Sequence, residues 1–473
     1  MREKIERHFE LTKHGTTIGR EMLAGTTTFL TMAYIIFLQP MVLTGQIFGM
    51  DTGMDFGAVT TATCLSAALA TAIMALWARL PIAQAPGMGE NFFFVLTAIP
   101  AAAALGHPEP WRTALGAVFI AGILFLVLSL TGIRRWIVDA VSPSLKHGMA
   151  TGIGLLIAFI GLKNAGIVTL SPAAPSLNTD FVSPDRWVFA IGLLTTGVFL
   201  ARKMRGAVLA GIVAAAAATF LFWAAWPHLP EGWRASESIA NSQLATRFHW
   251  ADGVFALPPS MAPTLFKMDI LGALSLSMLP LVLVFLFMDV FDTMGTLVGV
   301  CDHAGLSRDG KIPAGNRAFL SDAAGTVAGA AMGTSTVTSF IESAAGVEQG
   351  GRTGLTALTT AALFIAALFI SPIVAMVASY PPMTAPALFA VGALMMKSVT
   401  RIEWDDFSEA LPAFIILIGI PLTFSVGDGL ALGLLSYPVI KFLSNRGREV
   451  KWPLYVLAAA LLLYFLFVRG NLG

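Results

Sequence analysis

The sequence predicts an all-α polytopic membrane protein of fourteen transmembrane spans, arranged as a 7+7 inverted repeat with two broken spans. Three observations lead to this fold class. Of the 473 residues 56% are hydrophobic and only 12% are charged, whereas soluble domains carry about 25% charged residues. The basic residues fall mainly on one side of the apolar runs. Two of those runs are too rich in Pro, Gly and hydroxyl residues to be simple helices.

The apolar runs divide into spans on the criterion that a bilayer core of about 30 Å needs about 20 apolar residues. An additional apolar stretch, 453–468, is left without an assignment. The predicted spans are 22–44, 58–79, 85–104, 111–132, 143–163, 186–202, 206–226, 271–300, 316–333, 335–350, 353–378, 383–398, 411–426 and 428–443.

The distribution of Lys and Arg tests this count, because basic residues accumulate on the cytoplasmic side of membrane proteins. With a cytoplasmic N-terminus, 22 of the 29 basic residues lie inside. The N-terminal arm, residues 1–21, has no cleavable signal pattern, so the first span should remain as an anchor. We therefore expect a multi-pass protein of the plasma (inner) membrane with a cytoplasmic N-terminus.

A single long polar loop, residues 227–270, separates spans 7 and 8 and is predicted to be extracytoplasmic. It divides the chain into two groups of seven spans. Because seven is odd, the second group enters the membrane with the opposite orientation, as an inverted repeat requires.

Spans 3 and 10 are predicted to be broken, each with a short extended segment followed by a half-helix. Span 3 begins PIAQAPGMGENFFFVL, and span 10 begins GTSTVTSFIESAAGV. Irregular backbone at membrane depth is tolerated only where it is buried in protein or lines a cavity. Broken segments at corresponding positions of two halves therefore indicate a binding site near the membrane midplane.

The half-helices carry predicted caps. Ser339 and Glu342 have the S-x-x-E spacing of a capping box, and Asn91 is placed to cap the half-helix that begins FFFVL. The positive ends of the two half-helices would then face one another from opposite directions.

Acidic residues sit in these apolar surroundings at a cost of several kcal/mol each when ionised. FMDVFDTMGT in span 8 places Asp289 and Asp292 three residues apart, on one face of a helix. Glu90 in span 3 and Asp322 in span 9 are also intramembrane acids. Such residues are functional candidates by default.

Carboxylates beside polar half-helices and Phe rings suit a flat, neutral, hydrogen-bonding solute such as a purine base. A carboxylate accepts two parallel N–H bonds, and a Phe ring offers a stacking face. An acid here could also take up a proton together with the solute. The predicted substrate-binding residues are Asn91, Asp289, Asp292, Phe340 and Glu342. The predicted proton-coupling candidates are Asp289, Asp292, Glu342, Asp322 and Glu90.

Long motifs carry a resemblance to a known family. APGMGENFFF, FMDVFDTMGT, LSDAAGTVAGAAMGTSTVTSFIESAAGV and GGRTGLTA resemble the AzgA-like branch of the nucleobase–cation symporter 2 family, which are purine permeases for adenine, guanine and hypoxanthine. The resemblance covers essentially the whole chain. It implies proton-coupled import of a purine base, with the base held between spans 3, 8 and 10. It also implies a homodimer formed through the gate domain.

The same resemblance implies a division into a core domain, spans 1–4 and 8–11, and a gate domain, spans 5–7 and 12–14. In residue numbers the core domain comprises 22–132 and 271–378, and the gate domain comprises 143–226 and 383–443, followed by a C-terminal segment, 444–473. Relatives commonly carry an apolar residue at the position of Glu90. This difference leaves the base preference and the proton stoichiometry open, and the sequence does not decide which aspartate contacts the base.

Other functions fit less well. An intramembrane aspartyl protease would use Asp428 of VGDG as a second aspartate, but the expected Tyr-Asp partner is missing. An anion transporter or channel of the same fold would require a basic or neutral site. The net charge of +1 and the two cysteines, Cys64 and Cys301, indicate neither a nucleic-acid partner nor a metal or disulfide framework. We expect no cofactor other than the coupling proton.

Overall fold

The computed structural model describes residues 2–131, 141–170, 175–303 and 315–467, and within these ranges the chain is mainly helical. The helices of the first half, with strand β1 (Gln84–Pro86) between α4 and α5, are α1 Arg2–Phe9, α2 Ile18–Met32, α3 Ile35–Leu43, α4 Phe56–Ile73, α5 Met88–Phe93, α6 Ile99–Ala104, α7 Pro110–Thr131, α8 Pro143–Asn164, α9 Pro184–Ala201 and α10 Ala207–Ala225. A hairpin of β2, Val168–Leu170, and β3, Pro175–Leu177, follows α8.

The second half begins in the predicted loop, which contains short helices between residues 231 and 246, is irregular over 247–269 and ends at another short helix. These are α11 Glu231–Arg234, α12 Glu237–Ala240, α13 Gln243–Thr246 and α14 Ile270–Ala273. The long helices then follow, with strand β4 (Val337–Ser339) before α17. They are α15 Leu279–His303, α16 Gly315–Met332, α17 Ser343–Glu348, α18 Gly354–Ala367, α19 Ser371–Ser379, α20 Ala385–Met395, α21 Phe407–Thr423, α22 Val426–Leu443 and α23 Trp452–Phe467.

Several helices are long and apolar enough to cross a membrane, as predicted. By length and hydropathy, eight stretches of the described residues qualify; the exact count of fourteen spans stays a prediction. The sequence predicts that span 8 begins at residue 271, but its helix begins at Leu279. A separate short helix, α14, and a turn come before it. Pro280 lies in the first turn of the long helix, where proline is tolerated. Five of the basic residues counted for topology lie outside the described ranges, namely Arg134, Arg135, Arg308, Lys311 and Arg469.

Both broken spans are present, and they pair with each other. Strands β1 and β4 form a two-stranded antiparallel ladder in which Gln84 faces Ser339 and Pro86 faces Val337. The ladder extends by one bond at each end, from Gly87 N to the Thr336 carbonyl at 3.1 Å and from Phe340 N to the Ala83 carbonyl at 2.9 Å. The extended backbone of each span therefore satisfies that of the other, which buried backbone in a membrane requires.

The long helices pack mainly within two sets. In the first helix group α2 and α4 pack against α18, and α7 packs against α15 and α16. In the second helix group α8 packs against α20 and α21, α9 packs against α10 and α20, and α21 packs against α22. The first half-helix lies between the sets, since α5 contacts α3 and α15 of one and α8 and α22 of the other. The second half-helix, α17, contacts α2 and α15 of the first group.

An ion cluster joins the helix ends of the second group. Lys441 is buried, and its Nζ lies 2.8 Å from Glu409 and 2.9 Å from Glu449. Glu409 also accepts a hydrogen bond from the hydroxyl of Tyr437 at 2.8 Å. Just before α21, hydrogen bonds from Ser408 and Arg446 lower the pKa of the Asp406 carboxyl to about 2 against the opposing effect of burial.

Close helix approach in the second group depends on glycine. A Cβ placed on Gly392 of α20 would lie 2.3 Å from the Gly154 carbonyl oxygen and 2.8 Å from the Ala158 Cβ, both on α8. Small residues at such crossings let helix backbones pack directly. Gly197 of α9 is exposed, and a Cβ there would meet nothing within 4 Å.

We predict that Gly392→Ala destabilises the protein whereas Gly197→Ala does not. Overpacking costs about 1–3 kcal/mol, which exceeds the roughly 1 kcal/mol that Ala gains over Gly in a helix. The thermal unfolding midpoint of the detergent-solubilised protein should fall for Gly392→Ala and stay level or rise for Gly197→Ala. Equal midpoints for the two variants would show that α8 and α20 can move apart to accommodate the added methyl group without loss of stability, and would contradict the prediction.

Candidate functional site

The site is organised by the ladder between the two broken spans. Because β1 and β4 are antiparallel, the chain leaves them in opposite directions into α5 and α17. Pro86 precedes the first half-helix, and the β-branched Thr336, Val337 and Thr338 favour the extended conformation before the second. The N-termini of both half-helices consequently lie next to the ladder.

The two aspartates of α15 lie beside this ladder but in different environments. Asp289 is 1% exposed, and its Oδ2 accepts a hydrogen bond from the Thr326 hydroxyl at 2.8 Å. Its Oδ1 is buried and has no hydrogen-bond partner among the described residues. Asp292 is exposed, with Thr338 within reach of its carboxylate. The spacing predicts that the two aspartates share one helix face. In the structure Asp289 on that face is buried and Asp292 is exposed.

Asp322 of α16 is the most fully bonded of the acids. It is completely buried and accepts hydrogen bonds at 2.7 Å from the Gln84 side-chain amide and from the Ser339 hydroxyl, and a further bond from the Thr293 hydroxyl. These donors come from β1, β4 and α15. Three donors on one carboxylate suit its ionised form, and they tie both strands of the ladder to two long helices.

Glu342 lies immediately before α17 and is half-buried. Its Oε1 accepts a hydrogen bond from the Tyr34 hydroxyl at 2.6 Å. The predicted capping box is wrong, because the Glu342 side chain caps no backbone N–H. Ser339 bonds Asp322 instead of the helix. The ladder ends at Ser339, and the helix begins only at Ser343. Ser339 and Glu342 therefore both precede the helix and cannot cap its first turn as a capping box.

Glu90 is buried in the first turn of α5, where the helix dipole favours an acid. Its carboxylate lies over Gly87, since a Cβ built on Gly87 would come within 2.3 Å of the Glu90 Oε2 and 2.9 Å of the Thr338 methyl group. At 3% exposure, Glu90 is not an interfacial residue reaching toward water. It packs over Gly87 beside the ladder.

Asn91 does not cap a helix, contrary to expectation. The half-helix begins earlier, at Met88, and the Asn91 backbone N–H is already bonded to the Gly87 carbonyl within it. The Asn91 side chain is completely buried and exchanges hydrogen bonds in both directions with the amide of Gln39, and it accepts one from the Ser335 hydroxyl. These bonds connect α3, α5 and the segment before β4, behind the exposed acids.

The aromatic residues of the two broken spans are packed into the protein. Phe340 is 6% exposed. Phe92 meets Phe48 edge-on at 5.4 Å, and Phe93 meets Phe285 edge-on at 4.7 Å. Phe340 lies two residues before Glu342, and Ile341 between them is 53% exposed.

Carboxylates dominate the electrostatics of the site. Within the described ranges no ion pair joins Glu90, Asp289, Asp292, Asp322 or Glu342 to a lysine or arginine. Lys146, at the start of α8, is a basic residue in contact with α15, since its Nζ lies 4.5 Å from the ring centroid of Phe291. A neutral solute with N–H donors, or protons, would suit this arrangement better than an anion.

Several residues of the site were not singled out from the sequence. Tyr34 and Gln39 come from TMAYIIFLQP in span 1, and Gln84 and Thr326 bond the buried acids. Polar residues inside apolar runs are a general signal of buried hydrogen bonding. That signal did not identify which acid each would contact, because the partners are up to 308 residues apart in the chain.

Comparisons with known proteins place the chain among permeases. The profile of a family described as a permease family matches residues 19–431. A putative permease of Methanocaldococcus jannaschii is 44% identical over 98% of this chain and 99% of its own. Guanine/hypoxanthine permease PbuO of Bacillus subtilis is 38% identical, over 97% and 100%. Adenine permease AdeQ of Escherichia coli is 37% identical, over 98% and 96%.

A solved structure shares the fold. The transmembrane domain of the cyanobacterial bicarbonate transporter BicA superposes with a TM-score of 0.57 at 15% sequence identity, covering 88% of this chain and 97% of that one. At that identity the likeness concerns the fold alone. It agrees with the predicted helical membrane architecture.

We predict that Asp322→Asn lowers the stability of the protein. The new amide N–H group would face donors, so at least one buried donor would lose its acceptor at a cost of about 1–3 kcal/mol. The thermal unfolding midpoint in detergent should fall. Asp252→Asn, in the exposed loop, is the matched control and should leave it unchanged. A midpoint for Asp322→Asn equal to that of the control would contradict a stabilising role for this network.

Proposed function

Because this chain belongs to the xanthine/uracil permease family, the nucleobase–cation symporter 2 family, we propose that it imports purine nucleobases by proton symport. It is a membrane permease and not an enzyme. Relatives named for guanine/hypoxanthine and for adenine are similar to it at 38% and 37% identity. The proposed substrate class is therefore purine bases, with all three as candidates.

The observation that carries this proposal is that two acidic residues keep solvent exposure where the broken spans meet. Asp292 is exposed, and Glu342 is half-buried. In our proposal the bound base donates N–H groups to both carboxylates, which recognise an amide or amidine edge through paired hydrogen bonds. The half-helix N-termini would orient its acceptor atoms.

We assign the coupled proton to Asp289. This carboxyl is buried, and one of its oxygens has no hydrogen-bond partner among the described residues. A buried carboxylate with an unpaired oxygen is costly, and a bound proton removes its charge. Asp322 and Glu90 stay candidates for coupling, but Asp322 already has three donors, and Glu90 lies in the wall of the site.

Asn91 and Phe340 stay predicted substrate contacts. Both are buried, so each would reach the base only after a local rearrangement. We propose that they shape the wall behind the exposed acids in the state described here.

The proposed transport cycle moves the core domain, which carries the site, against the gate domain. The two helix groups supply a physical basis, because their members pack mainly within each set. We further propose a plasma-membrane location with a cytoplasmic N-terminus, from the distribution of basic residues, and a homodimer through the gate domain. The alternative of an anion transporter would place an anion beside five carboxyl groups, which is electrostatically unfavourable.

We predict that vesicles containing the protein accumulate radiolabelled hypoxanthine, guanine or adenine when the outside is made acidic. Uracil and xanthine serve as comparison solutes. Accumulation should disappear when a protonophore collapses the gradient. Failure to accumulate any base would refute the substrate class, and accumulation that survives the protonophore would refute proton coupling.

We predict that the acids separate into two functional classes. Asp292→Asn and Glu342→Gln should weaken hypoxanthine binding to the purified protein at least about tenfold, because a charge-assisted hydrogen bond contributes about 1.5–3 kcal/mol. Asp289→Asn should bind within about threefold of the wild-type affinity and still exchange base across the membrane, yet lose gradient-driven accumulation, because Asn mimics the protonated acid.

Asp252→Asn again serves as the control and should behave as the wild type in both assays. If Asp289→Asn accumulates base in response to the pH gradient, the proton is not carried there. If Asp292→Asn and Glu342→Gln both bind normally, the exposed acids do not contact the base.

A further inference from the structure

Tyr34 is a residue of the first span whose hydroxyl reaches the site. It lies between α2, which ends at Met32, and α3, which begins at Ile35. The chain tightens there, since Phe37 N bonds the Tyr34 carbonyl at 3.1 Å, three residues back. The side chain is 3% exposed. A phenol buried in an apolar span requires a hydrogen-bond partner.

That partner is Glu342. The Tyr34 hydroxyl donates to its Oε1 at 2.6 Å. A carboxylate can only accept, so the phenol is the donor in this bond. No other described residue donates a hydrogen bond to Oε2 of Glu342, and the residue is half-buried. Its own backbone N–H is a further donor to the carboxylate. Oε1 is therefore held by another span, while the carboxylate keeps acceptor capacity for a ligand.

The Glu342 side chain does not cap the helix that follows it. The residue has helical φ and ψ. α17 is only six residues long. The end of α2 also contacts the backbone of Glu342, since the Thr31 hydroxyl donates a hydrogen bond to the Glu342 carbonyl oxygen at 3.4 Å. The first span thus supports both the backbone and the carboxylate of this acid.

The Tyr34 hydroxyl bonds one of the two carboxylates that we propose for base recognition. The residue is itself too buried to offer its hydroxyl to a solute.

We propose that Tyr34 is a positioning residue that orients the Glu342 carboxylate for recognition of the nucleobase. The inference rests on the proposed function, since it deepens the role of the same site. By holding Oε1, the phenol directs Oε2 to the N–H edge of the base and reduces the conformational freedom that binding would otherwise remove.

The test is Tyr34→Phe, which removes the hydroxyl and keeps the ring that packs in the core. We expect about tenfold weaker equilibrium binding of hypoxanthine and an unchanged maximal exchange rate at saturating base. In the Glu342→Gln background the same substitution should change affinity less than twofold, because the carboxylate that Tyr34 orients is absent. Additive effects in the two backgrounds would overturn the inference.

Tyr437→Phe is the matched control. It also removes a buried phenol-to-glutamate hydrogen bond, that to Glu409 at 2.8 Å, but in the ion cluster at the helix ends of the second group. It should leave hypoxanthine affinity unchanged. If Tyr437→Phe weakens binding as much as Tyr34→Phe, the effect is a general loss of stability, and the assignment of a positioning role is wrong.

An infrared readout separates failure of this inference from failure of the proposed function. The carboxylate band of Glu342 is obtained as the difference between the wild type and Glu342→Gln without any base. We expect Tyr34→Phe to shift this band and Tyr437→Phe to leave it in place. An unshifted band would overturn the positioning role even if purines bind, and a shifted band would support it even if the transported solute proves to be of another class.

Discussion

The site depends on one constraint, that a peptide group at membrane depth must find a hydrogen-bond partner within the protein. Spans 3 and 10 both abandon the helix, and either alone would expose its backbone at a cost of several kcal/mol per group. The antiparallel ladder of β1 and β4 removes that cost. Side chains complete it, since Thr71 bonds both the N–H and the carbonyl of Gln84, and Ser343 accepts from Ala83 N.

The ladder also decides where charge is placed. Asp322 gathers donors from both strands and from α15, and so joins the broken spans to the long helices. Asp289 is buried nearby with one hydroxyl partner. Asp292 and Glu342 lie where the packing opens. The number of hydrogen-bond donors around each acid therefore separates them. Asp322 is fully bonded, Asp289 is buried with one unbonded oxygen among the described residues, and the other two are more exposed.

The broken spans were predictable because their cause is local. Pro and Gly in PIAQAPGMG and the β-branched run in TSTVTS each disfavour a continuous helix, and the structure has a strand and a short helix at both places. The caps were predicted wrongly for the opposite reason. Ser339 and Asn91 have the residue types of caps, but each finds a tertiary partner, Asp322 or Gln39, that competes for its hydrogen bonds.

The sequence by itself determined the membrane character, the two interruptions and the set of intramembrane acids, because hydropathy, backbone preference and charge are properties of short segments. Only the tertiary structure decided that the interruptions pair with each other, that Asp289 and Asp292 differ in exposure, and that Tyr34 supports Glu342. Those features are set by contacts between segments as much as 308 residues apart in the chain. Such contacts depend on how the spans pack, and the pattern within any one span does not encode them.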